Sequence, residues 1–162
     1  MNILLIVLAL IMIWRIAMGM KRGGVREVIA FVNAIFVALV LSLLSMTINA
    51  YHAGNYLGIA LFVLGIVIVS VVYSILKIVF FPAKVISKLP VVSSADKLLG
   101  VLIGTAETLL VYWTMCCLFM YLDLGVLEEQ LMTMIKESAL LAGLYKYNLL
   151  GVILDSLRAK LY

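Results

Sequence analysis

Apolar residues fall into four long blocks along this chain, covering 3–20, 28–48, 57–81 and 98–122, with short polar stretches between them. About 20 apolar residues in helical form reach across the hydrocarbon core of a bilayer. Each block therefore predicts one transmembrane helix, and the chain reads as an all-α integral membrane protein. Residues 1–122 make a four-helix transmembrane domain, and 123–162 a helical, amphipathic tail.

The connections refine this picture. Gly19 to Glu27, GMKRGGVRE, is short and basic, and its glycines Gly23 and Gly24 allow one helix to stop and the next to start at once. Asn49 to Tyr56 carries Tyr51, His52 and Tyr56, which suit a membrane interface. Lys77 near the end of the third block can snorkel to the headgroups, with Pro82 as the expected stop. PAKVISKLPVVSSADK, 82–97, alternates apolar residues with Lys84, Lys88 and Lys97, as in a segment lying on an anionic membrane surface and broken by Pro90 before the last span. The fourth span ends at Asp123. In the tail, Leu127, Leu131, Met134 and Ile135 share one helical face while Glu128, Glu129 and Lys136 lie elsewhere. Ala139 to Leu154 is apolar but interrupted by Gly143, Lys146, Asn148 and Gly151, so it reads either as interfacial or, less favourably, as a fifth span.

Composition agrees with the blocks: 67% of the 162 residues are hydrophobic and 12% charged, against about half and a quarter in a soluble domain. The net charge of +4 describes no nucleic-acid patch. Its distribution sets orientation instead. Lys21, Arg22 and Arg26 occupy the first connection and Lys77, Lys84, Lys88 and Lys97 the third, while the second has neither Lys nor Arg. Basic connections stay cytoplasmic, which puts the N-terminus and the tail outside. Positive charge follows the first apolar block rather than preceding it, so this block reads as an uncleaved helix and not a signal peptide. The lipid bilayer is the first expected partner, with anionic lipids at the basic connections.

Few residues offer chemistry. Asn33, Ser42 and Ser45 are the polar side chains of the second span, and Asn33 is expected to bond a neighbouring helix. Ser93 and Asp96 have the spacing of a capping box; Asp96 is also placed to pair with the basic hairpin from Arg22 to Arg26. Gly100 and Gly104 form a GxxxG packing surface with Ala106 beside it. Arg15 and Glu107 are the charges well inside the spans, and their depths differ by roughly 6 Å at the helical rise. A charge pair joining the first and fourth spans is expected, as a structural clip or as part of an ion or proton path past Glu107. Cys116 and Cys117 are adjacent in an apolar run and fit neither a metal site nor a structural disulfide. His52 has no motif around it. No enzymatic constellation, metal site or cofactor loop can be assembled.

The order of these features resembles the colicin V production protein family of bacterial inner-membrane proteins. RGGVRE matches that family's RGxxxE pattern through Arg22, Gly23 and Glu27. Asp96-Lys97-Leu98-Leu99-Gly100 with Gly104 matches its Asp-Arg-x-x-Gly-x-x-x-Gly pattern, with Lys97 in place of arginine and Thr108 where a basic residue often follows. Ser138 falls in the matching tail. The resemblance implies a non-enzymatic, multi-pass inner-membrane protein that supports toxin (colicin V) production or export and envelope homeostasis through membrane or secretion partners. A channel or transporter subunit is the alternative, its path formed between copies in a homo-oligomer.

Overall fold

Long apolar stretches without helix-breaking clusters leave the backbone one way to satisfy its polar groups in a bilayer, which is to bond to itself as helix. The computed structural model describes residues 2–86, 94–122 and 124–161, and among them no strand occurs. The helices are α1 (Ile3–Arg22), α2 (Gly24–His52), α3 (Tyr56–Ile86), α4 (Ser94–Leu122), α5 (Val126–Glu137), α6 (Ala139–Lys146) and α7 (Leu149–Leu161). α1 to α4 each contain a stretch long and apolar enough to cross a membrane.

The helices outrun the apolar blocks, because a helix continues into polar sequence until something stops it. The nine-residue connection expected between the first two spans contracts to Gly23 alone, whose φ of +81° ends α1 and lets α2 begin at Gly24. The second connection shortens to Ala53–Asn55. There Gly54 has φ +69° and the Asn55 side chain caps α3 by accepting from the Gly58 N–H at 2.9 Å.

Pro82 does not stop α3, which runs through it to Ile86. Proline removes a single backbone donor, and this one lies close to the helix end, where little of the ladder remains to be lost. The surface segment expected over 82–97 is corrected accordingly: residues 82–86 extend α3 and Ser94 to Lys97 open α4. Lys88, Pro90 and Ser93, and with Ser93 the expected capping box, lie outside the described residues, as does Asp123.

α4 is the organising helix. α1 and α2 both pack along it and only sparingly on each other, while α3 packs chiefly on α2. One apolar cluster joins α2, α3, α4 and α7 through Ala38, Met46, Phe62, Cys117, Tyr121 and Leu154. A second joins α1, α4, α5 and α6 through Leu8, Tyr112, Cys116, Leu131, Ile135 and Leu141.

The tail folds back on the bundle. α5 starts just after α4 ends, and its Leu131 and Ile135 reach down to Tyr112 and Cys116; Leu127, expected on the same buried face, is instead exposed. At the other edge of α5 the Met134 carbonyl accepts from the Asn2 side chain. The chain then reverses at Ser138. Tyr112 Oη donates to the Leu141 carbonyl at 2.9 Å and Trp113 Nε1 to the Leu144 carbonyl at 2.9 Å. Further along, Asn148 meets Cys117, and Tyr121 Oη donates to Asp155 Oδ1 at 2.8 Å. Rising numbers on both sides of these contacts mean that α6 and α7 run in the same direction as α4, with a bend of 41° between them.

Candidate functional site: a charged clasp of three spans

Close packing of α1 on α4 begins with glycines. A Cβ at Gly19 would overlap the Gly100 carbonyl, and a Cβ at Gly100 would overlap the Gly19 carbonyl, so the two backbones touch. One turn further along, a Cβ at Gly104 would lie 2.8 Å from the Arg15 carbonyl oxygen. Gly100 and Gly104 therefore face α1 of the same chain.

That approach delivers Arg15 to α4. Its guanidinium pairs with Glu107, and the same Nη2 lies 3.5 Å from Glu27 Oε2 at the start of α2. Glu27 is fully buried, and its other oxygen lies 3.8 Å from Arg22 Nη1, whose side chain is 47% exposed. Neither Glu27 oxygen accepts a hydrogen bond. Two buried carboxylates thus face one half-buried guanidinium, with a second, wetter guanidinium at the edge. In a low-dielectric interior such a group is held by mutual attraction alone, so each member depends on the others.

Asp96 supplies a second bond between motifs. Its Oδ1 accepts from the Gly24 N–H at 2.8 Å, capping the N-terminus of α2, where negative charge is favoured. A Cβ at Gly24 would stand 2.6 Å from Leu99 Cβ. Gly23 combines its positive φ with the same crowding, since a Cβ there would collide with the Asp96 carboxylate. Asp96→Ala is expected to cost about 1–2 kcal/mol, the range for losing a helix cap, read as a lower temperature of loss of the monodisperse peak on size exclusion in detergent; Asp96→Asn, which keeps an acceptor oxygen, should lose less.

The structure brings together Arg15, Arg22, Gly23, Glu27, Asp96, Gly100, Gly104 and Glu107 at the α1–α2–α4 contact. Ser138 lies apart from them, where it caps α6 by accepting from the Leu141 N–H at 3.4 Å. His52 is exposed at the end of α2. Cys116 and Cys117 are buried free thiols. Asn33, expected against a neighbouring helix, is instead exposed and lines a groove of about 430 Å³ between α2 and α4; its turn of α2 faces outward, where the apolar Val37 and Leu41 follow it. Glu27 as a partner of Arg15 is the residue that sequence reasoning missed. It lies four residues past Gly23 and Arg15 eight before, a depth difference of roughly 6 Å, so the arithmetic that paired Arg15 with Glu107 also reaches Glu27. No cluster of three or more metal-ligating side chains occurs among the described residues.

Four spans, three of them clasped through charge and glycine contacts, define an all-α, multi-pass membrane protein. The family model described as colicin V production protein matches residues 5–148, and the chain belongs to that family. No curated protein and no solved structure matches it.

Proposed function

We propose that this protein is a non-enzymatic inner-membrane component that supports colicin V-type toxin production or export and envelope homeostasis by engaging other membrane or secretion proteins. In this reading the Gly23 hairpin is cytoplasmic, and the N-terminus and the tail lie outside. The observation that carries it is the clasp. Arg15, Glu27 and Glu107 are engaged with one another at a close three-helix contact, which suits a rigid scaffold rather than a reacting site. Family membership adds the link to toxin production. Lys21, Arg22, Arg26 and Lys97 are positioned around the hairpin, in keeping with a cytoplasmic face against anionic lipids.

A second reading has one observation in its favour. Glu27 and Glu107 present two buried carboxylates to one close guanidinium, an arrangement also suited to passing a proton or cation. Ion flux into liposomes carrying the purified chain separates the two, with wild type and Glu107→Gln compared at matched, folded incorporation. The scaffold reading expects no flux above empty liposomes. Flux that Glu107→Gln abolishes would replace it with the channel reading.

A further inference from the structure

α7 is apolar on two faces. Leu150 and Leu154 are buried against α2 and α4. On the opposite side Leu149, Val152, Ile153 and Leu157 recur at helical spacing and are 62%, 60%, 52% and 42% exposed. A helix with a second, outward apolar face needs cover beyond its own bundle. α5 is built differently. Leu131 and Ile135 are buried, and beyond the exposed Val126 and Leu127 of its first turn its outward positions Glu129, Gln130, Thr133, Lys136 and Glu137 are polar. One arm of the tail is thus finished for water and the other is not.

Register along α4 says where the unfinished arm sits. Leu141 lies beside Tyr112 and Asp155 beside Tyr121, so α6 and α7 flank the last ten or so residues of α4, a depth of roughly 15 Å. α7 packs beside α2 and α4, two spans whose own outward residues, such as Leu44 and Val111, are exposed apolar side chains of the same kind. Its outward face continues a surface that lipid already covers. A crossing is ruled out by direction. α6 and α7 travel the way α4 travels and leave at the end where α4 leaves, and α5, with 12 residues, spans only about 18 Å of return path.

We infer that α5, α6 and α7 form a re-entrant hairpin inserted into the single leaflet where α4 ends, with acyl chains covering the Leu149–Leu157 face of α7 and water meeting α5. Asp155 at the emerging end of α7 is bonded to Tyr121, while Lys136 and Glu137, exposed in the last turn of α5 beside the Ser138 reversal, require water to follow α5 down to the innermost point of the hairpin.

Spin labels test the inference in full-length protein reconstituted in phosphatidylcholine and phosphatidylglycerol vesicles. Val152→Cys, Ile153→Cys and Thr133→Cys are made in a Cys116→Ala, Cys117→Ala background that elutes like wild type. Collisions with oxygen should exceed those with a water-soluble nickel chelate at 152 and 153, and the order should invert at 133. Nickel collisions at 152 and 153 equal to those at 133 would overturn the inference. So would protection from both reagents, which would mean that a protein or a second copy covers α7. Benzoylphenylalanine at Val152, with both native cysteines retained, should crosslink to lipid; crosslinking only to protein counts against the inference. A label at Ser156 that reacts only from the side opposite to one at Leu124 would reveal a crossing and overturn it as well.

Discussion

Arg15→Ala should leave little folded protein. The substitution removes the half-buried cation that faces both Glu27 and Glu107, and breaking a buried pair by deleting one partner costs about 3–5 kcal/mol because the remaining charge is left uncompensated. Size exclusion after graded heating in detergent reads the loss directly. Replacing the whole set, Arg15→Leu with Glu27→Leu and Glu107→Leu, should recover most of the stability, since apolar packing of similar volume is often neutral or better than a buried ion cluster. An Arg15→Ala protein as heat-resistant as wild type would show that the clasp contributes nothing to the fold.

Gly100→Leu and Gly19→Leu should be as damaging for a different reason. Each side chain would have to occupy space held by the backbone of the facing helix, and backbone cannot turn aside as a flexible side chain can. Overpacking costs about 1–3 kcal/mol where neighbours adjust, and these sites belong at or beyond the top of that range. Gly104→Ala should be milder but still destabilising, since the added methyl would stand 2.8 Å from the Arg15 carbonyl oxygen, a closer approach than real Cβ atoms make but less severe than the overlap at Gly100. Gly143→Ala supplies the control: nothing lies within 4 Å of a Cβ there, and alanine in place of glycine inside α6 should stabilise by up to about 1 kcal/mol. The order of heat resistance, Gly143→Ala, wild type, Gly104→Ala, Gly100→Leu, is the result expected; equal behaviour of the last three would mean that α1 and α4 do not touch as described.

The spans were legible because hydrocarbon imposes one rule on every crossing segment, and apolar length is enough to apply it. Helix ends were less so. Lys21 and Arg22 look like the start of a loop, yet they cap the dipole of α1 from its last turn, and only the positive φ at Gly23 marks the break. Asp96 shows a deeper limit. Its spacing from Ser93 spoke only to a cap for its own helix and gave no sign of the N-terminus of α2, which its carboxylate bonds across 72 residues. Pro82 misled in the opposite direction, because its effect depends on how much helix remains beyond it. In the tail, Tyr112 and Trp113 each carry a polar tip on an apolar body inside a span, and those tips report neighbouring carbonyls that turned out to belong to α6. Asn148, which read as a mere interruption, caps α7 through the Gly151 N–H at 2.9 Å.

The placing of α1 and α2 mainly against α4 has a consequence for biosynthesis. Ser94 follows Gly24 by 70 residues, so at about 5–20 residues per second the ribosome needs about 4–14 s to deliver the helix that both are waiting for. During that interval the first hairpin sits in the bilayer without its packing surface, and Arg15 is there without Glu107. Glu27, only 12 residues beyond Arg15, is already made. It can chaperone the arginine through insertion and then share it, so that the second carboxylate of the clasp records the order in which the chain was born.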